Sequence, residues 1–136
     1  MATTNAQIIL TSDITDTSLA INNTAELNLA GSTSGLTTLT SVTKVLESKN
    51  DVDLIVTGSV STTHAYVYIN NPSDDASEFF RIRIGTASTS DSTDETEEIG
   101  RLYAGDFMFF PWDVDDDITI KPSVATAMTV EYMVFS

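Results

Sequence analysis

The chain has no cysteine among its 136 residues, which excludes disulfides, thiolate metal sites and cysteine nucleophiles. That absence is neutral about compartment, because a disulfide-free protein persists in either redox environment. Histidine is almost absent too: His64 stands alone, so any relay or metal site built on imidazole has one position available. Positive charge is scarce, with six Lys and Arg against twenty Asp and Glu and a formal net charge of −14. A surface that acidic repels phosphate backbones and anionic lipid, so neither nucleic acid nor membrane is expected as a partner. The longest apolar run, residues 107–112, is far short of the ~20 residues that a membrane-spanning helix needs.

The first residues, Met-Ala-Thr-Thr-Asn-Ala-Gln, offer neither a basic nor an apolar stretch, and no signal peptide is expected. Without one, Asn22-Asn23-Thr24 reads as a turn rather than as a glycosylation acceptor. Glycine-rich phosphate loops of the P-loop and dinucleotide kinds do not occur.

What is present is β-patterning. Residues 64–70 alternate, with Ala65, Val67 and Ile69 on one face and Tyr66 and Tyr68 on the other. Residues 78–86 do the same, with Phe80, Ile82 and Ile84 inward and Phe79, Arg81 and Arg83 outward. Further strands are expected at 7–11, 18–21, 26–30, 53–57, 118–121 and 125–135, separated by Gly, Pro, Asn and Asp clusters. Segment 36–49 is open between strand and helix: Leu39, Val42, Val45 and Leu46 sit at helical spacing, yet β-branched residues abound. About ten short strands predict an all-β fold, an antiparallel sandwich of jelly-roll type. One domain is expected over 1–136, with 1–50 an N-terminal arm or looser sheet and 51–136 an aromatic-rich core.

That core is expected to condense at residues 99–112, Ile-Gly-Arg-Leu-Tyr-Ala-Gly-Asp-Phe-Met-Phe-Phe-Pro-Trp, which holds the lone tryptophan and three of six phenylalanines. Phe107 and Phe109 share one face and Met108 and Phe110 the other. A strand apolar on both faces is either central in a sandwich or covered by another subunit.

Candidate chemistry is thin. His64, beside a turn, reads as a surface or strand-edge residue. Asp113, Asp115, Asp116 and Asp117 offer enough carboxylates to be calcium candidates, against the plainer reading of a solvated bend. Asp91, Asp94, Glu95, Glu97 and Glu98 lie in a polar insertion, 87–98, expected to be an exposed loop. Paired carboxylates for hydrolysis are meaningless among twenty acids, and no catalytic residue or cofactor is expected. Tyr66, Tyr68 and Phe79 face away from the presumed core, and Arg81, Arg83 and Arg101 lie on adjoining strands. Aromatics and arginine are favoured at protein interfaces, so these six are the interface candidates. The arginines are also placed to pair with acids across strands.

Three segments carry a resemblance: Ala65-Tyr-Val-Tyr-Ile-Asn-Asn-Pro-Ser73, the 99–112 segment above, and Val130-Glu-Tyr-Met-Val-Phe135. Together they resemble small structural proteins of tailed bacteriophages, notably marine and cyanobacterial ones, over about the C-terminal half of the chain. The acidic insertion 87–98 departs from the shorter hairpin of that pattern. The resemblance implies a non-enzymatic virion protein, made in the host cytoplasm and carried on the capsid surface. The expected type is a decoration (cement) protein, homotrimeric and bound to the major capsid protein. A fibre component, or a receptor- or carbohydrate-binding module, is the alternative.

Overall fold

The computed structural model describes residues 3–14, 18–87 and 97–136. Among them there are ten strands, all paired antiparallel, and one turn of 3-10 helix at Thr57–Ser59. The chain divides into two compact units, Met1–Thr37 and Thr38–Ser136, so the break falls well before residue 50.

The first unit is a two-stranded ribbon, β1 (Thr4–Ser12) paired with β2 (Leu19–Leu27) over nine residues each. The turn expected at Asn22-Asn23-Thr24 is not there. These residues run through the middle of β2, opposite Ile9, Ile8 and Gln7, and the Gln7 amide donates to Asn22 Oδ1 at 3.0 Å. Turn propensity yields here because a long partner strand satisfies the backbone, and exposed Asn side chains stay hydrated.

The second unit is a two-sheet sandwich. One sheet orders β3 (Leu39–Leu46), β10 (Met128–Phe135), β5 (Ala65–Asn70) and β8 (Phe107–Trp112) as β3-β10-β5-β8. The other orders β4 (Val52–Ile55), β9 (Ile118–Pro122), β6 (Phe79–Ile84) and β7 (Glu97–Tyr103) as β4-β9-β6-β7. Every connection except β6–β7 passes from one sheet to the other, which is the jelly-roll arrangement. The open segment 36–49 resolves as strand, because its β-branched residues suit a pleated surface and β10 offers it a full ladder.

The core does not condense at 99–112. Phe80, Ile69, Ile82, Ile118, Ile120, Met128, Val67 and Val130 are almost wholly buried, and all lie on the central strands. From 99–112 only Leu102 and Trp112 are buried, because β7 and β8 are the edge strands of their sheets, each paired on one side alone among the described residues.

Three residues, Ala104 to Asp106, carry the chain from edge strand β7 to edge strand β8, so the two edges flank the same side of the sandwich. Gly105 takes a φ of 79° there, a conformation that suits glycine. Asp106 closes the turn: its Oδ2 accepts from the Tyr103 amide at 2.9 Å, and its own amide donates to the Tyr103 carbonyl at 2.9 Å. Asn71, fully buried after β5, clamps the corner. Its amide donates to the Asp106 carbonyl at 3.0 Å and its carbonyl accepts from the Gly105 amide at 2.9 Å. Its side chain donates to the Leu102 carbonyl at 3.1 Å and accepts from the Ser73 amide at 3.2 Å.

Candidate interaction surfaces

Alternation along the strands sends each interface candidate outward, but to two different places. Tyr66 and Tyr68 stand on the outer face of the β3-β10-β5-β8 sheet. Phe79, Arg81, Arg83 and Arg101 stand on the outer face of the β4-β9-β6-β7 sheet, across the sandwich. Periodicity gives a strand's inner and outer sides but not the sheet it joins, and Tyr66 and Tyr68 share no face with Phe79.

The register builds the first face in rows. Leu39, Phe135, Tyr66 and Pro111 form one, and Ser41, Met133, Tyr68 and Phe109 the next. Thr43, Glu131, Asn70 and Phe107 form the third. Tyr66 and Phe109 lie near-parallel with ring centroids 6.0 Å apart, Tyr68 meets Phe107 at 5.9 Å, and Phe135 turns its edge to Phe109 at 6.5 Å. Phe107 remains 65 % exposed. Across these twelve positions the one charge is Glu131, and its carboxylate accepts from the Asn70 amide at 3.0 Å. Water therefore meets a broad, nearly uncharged aromatic surface on a protein of net charge −14.

The two edges of this sheet differ. On β3 the Lys44 side chain points to the inner side and its ammonium reaches the Asp53 carbonyl at 3.4 Å. An inward charge of that kind discourages further strands from adding. Phe-Met-Phe-Phe-Pro-Trp on β8 carries no charge, and Pro111 alone interrupts its ladder.

The second face is polar and gathers four of the six basic residues. Arg101, Arg81 and Lys121 stand in one row, with Arg83 beside them. Arg101 Nε lies 3.2 Å from Glu98 and Arg81 3.8 Å from the same carboxylate, while Asp51 takes Arg83 at 3.2 Å and Lys121 at 3.9 Å. The Arg101 guanidinium also sits 5.3 Å from the Phe79 ring, which packs on Tyr103. Hydrogen bonds to Glu98 and then to Tyr103 raise the Arg101 pKa further above its ordinary value. Glu97 and Glu98 belong to β7 rather than to a loop, and Asp91, Asp94 and Glu95 lie outside the described residues.

The acidic bend is organised for structure. Asp117 Oδ1 accepts from the Thr57 amide at 2.8 Å, and the Asp117 carbonyl accepts from the Gly85 amide at 2.8 Å. The Trp112 indole donates to the Asp116 carbonyl at 2.9 Å, and Val114 holds a φ of 64°, unusual for a β-branched residue. Among the described residues no group of three or more His, Cys, Asp or Glu converges to hold a metal, the stretch Asp113, Asp115, Asp116 and Asp117 included. His64 stacks edge-on against Tyr66 at 4.9 Å and borders an open groove of about 470 Å³ with Ile84, Ile99, Phe110, Trp112 and Asp116.

Sequence reading missed Leu39, Phe107, Phe109, Met133 and Phe135 as members of the first face. Their outward positions were in the alternation, but only strand pairing brings them beside Tyr66 and Tyr68.

No protein-family model matches the chain, and no curated protein sequence does. Among solved structures, the chain is similar to the crystal structure of the Yersinia pseudotuberculosis-derived mitogen YPM. The identity is 12 %, the TM-score 0.43, and the match covers 72 % of this chain and 85 % of that one. So distant a likeness carries no argument about what the chain does.

Proposed function

We propose that this protein is a non-enzymatic virion protein of a tailed bacteriophage, a capsid decoration protein that binds the major capsid protein as a homotrimer. The observation that supports it is the twelve-position aromatic face of the first sheet, nearly free of charge on a strongly acidic molecule. Exposed apolar patches of this kind mark protein–protein contacts. In this reading the face seats on the capsid lattice, and the acidic bend 113–117 faces solvent. Stabilisation of the shell follows by mass action, since the protein binds the assembled lattice and not the separate subunits.

The test is reconstitution on capsid shells that lack the protein. Wild type co-sediments to a fixed stoichiometry and raises the shell's melting temperature, while Phe107→Ser combined with Tyr68→Ser stays folded and loses shell binding at least tenfold. Antibody labelling confined to tail tips refutes the reading.

A carbohydrate- or receptor-binding module of a fibre is the second reading, favoured by the near-parallel Tyr66 and Phe109 rings, which offer a stacking platform. Glycan-array binding that disappears in Tyr66→Ala would select it over decoration.

A further inference from the structure

The sandwich has four edge strands, β3, β8, β4 and β7. Three of them carry charge: Lys44 on β3, Asp53 on β4, and Glu97, Glu98 and Arg101 on β7. β8 carries none over its six residues, and charge is a common guard against the addition of a further strand. The register also shows what the open side of β8 offers. Thr38 and Ser136 exchange both backbone bonds, at 2.7 and 3.0 Å, and in antiparallel pairing such residues alternate with ones that turn their groups away. Carried from β3 through β10 and β5, that alternation points the backbone groups of Met108, Phe110 and Trp112 at β5. The N–H and C=O groups of Phe107 and Phe109, with the Pro111 carbonyl, point to the side where β8 has no neighbour among the described residues. The Asn71 amide, donating to the Asp106 carbonyl at 3.0 Å, sets the same phase from the other end of the strand.

We infer that β8 is a docking edge for an extended segment of a partner protein, apolar along its length and carrying Lys or Arg at one end. A strand laid on this edge is held by main-chain bonds and sends alternate side chains to two places. One set continues the aromatic rows of Phe107, Phe109 and Pro111 on the outer face. The other meets the groove of about 470 Å³, walled by Phe110 and Trp112 from one sheet and Ile84 and Ile99 from the other. Asp113 and Asp116 line the same groove, just past the Trp112 end of β8. Charge selects the occupant. Among the described residues neither carboxylate stands in an ion pair, and four of the six basic residues are taken up on the outer face of the opposite sheet. A basic residue of the partner supplies the missing cation. A second copy does not fit: two β8 edges running antiparallel bring Asp106 of each toward Asp113 of the other, on molecules of net charge −14. The inference does not rest on the decoration reading, and its test uses no capsid.

Hydrogen exchange on the full-length protein reads the edge directly. Without ligand, the amides of Phe107 and Phe109 exchange about tenfold faster or more than those of Met108 and Phe110. Equal protection of all four overturns the inference. The binding probe is an array of short peptides that alternate apolar and polar residues, each made once with a terminal Lys pair and once with a terminal Glu pair. The protein binds Lys members and passes over their Glu counterparts. In solution the best Lys member protects the Phe107 and Phe109 amides, and Asp113→Asn with Asp116→Asn weakens it about tenfold without lowering the melting temperature. N-methylation of every second amide of that peptide abolishes binding in one phase and spares it in the other, as a ladder requires. An array with no Lys-dependent member overturns the inference. So does a peptide that the Asn variant holds as tightly as wild type, or one indifferent to methylation in both phases.

Discussion

Asn71→Ala tests whether one buried side chain holds the β7–β8 corner in place. The substitution keeps both backbone bonds of residue 71, to Asp106 and Gly105, and removes the side-chain bonds to the Leu102 carbonyl and from the Ser73 amide. Each lost bond costs about 1 kcal/mol, and a buried group left without a partner costs about 1–3 kcal/mol. The space vacated by a fully buried side chain adds to this, for a total of about 2–4 kcal/mol. In a domain of this size that lowers the melting temperature by roughly 8–16 °C. Asn71→Asp sharpens the test. Its carboxylate still accepts from Ser73 but faces the Leu102 carbonyl as a buried charge, so its folded pKa lies above the unfolded value. The variant's deficit is therefore largest at neutral pH and shrinks as the pH falls to the carboxyl's unfolded pKa, about 4. Melts of wild type and both variants at pH 7 and pH 4 decide it. A shift under about 2 °C for Asn71→Ala, or an Asn71→Asp deficit that is flat with pH, refutes the clamp.

Other expectations follow from named contacts. Asp51→Asn removes the carboxylate shared by Arg83 and Lys121, both of which keep further contacts, and costs about 1–2 kcal/mol in urea denaturation. Glu98→Gln on the exposed side of the same face costs less than about 0.5–1 kcal/mol, and a larger loss contradicts the ranking. Trp112→Phe loses the indole bond to Asp116 and core volume, for about 1–2 kcal/mol, and limited proteolysis then cuts within 113–117 faster than in wild type. Burial raises the Tyr132 phenol above 10.0, so its contribution is complete below pH 10.0 and fades as the pH rises further. In Tyr132→Phe the alkaline decline of the melting temperature is shallower, and an unchanged decline refutes the assignment.

The clean alternation of 65–70 and 79–84 survived folding because both strands sit between neighbours on a face that is either core or outside. Hydrophobic density misled at 99–112, where clustered aromatics suggested a centre and the chain made two edges. Density measures how much apolar surface a segment carries, whereas burial depends on how many strands flank it. The ribbon was illegible for the opposite reason. Asn22 and Asn23 are turn residues by chemistry, and only a nine-residue partner strand makes extended backbone the better arrangement. The candidate face was half legible: Tyr66 and Tyr68 by alternation, Phe109, Met133 and Phe135 only once pairing was known. Phe79 faces outward as its alternation predicts but on the other sheet, because nothing local records which sheet a strand enters.

The lacing of the sandwich has a consequence for how it comes into being. The first sheet places β10, the last strand in the chain, between β3 and β5, so residues 39–46 wait for residues 128–135 before they have a ladder. The second sheet waits likewise for β9 to join β4 to β6. Apart from β6 and β7, no two strands consecutive in the chain are neighbours in either sheet, and loop-closure entropy must be met before distant pairings reward it, which makes such topologies slow to form. The same lacing acts in reverse. No layer lifts away while the other stays, so the folded sandwich opens as a whole and seldom, and its lifetime is set by a barrier rather than by the strength of any one contact.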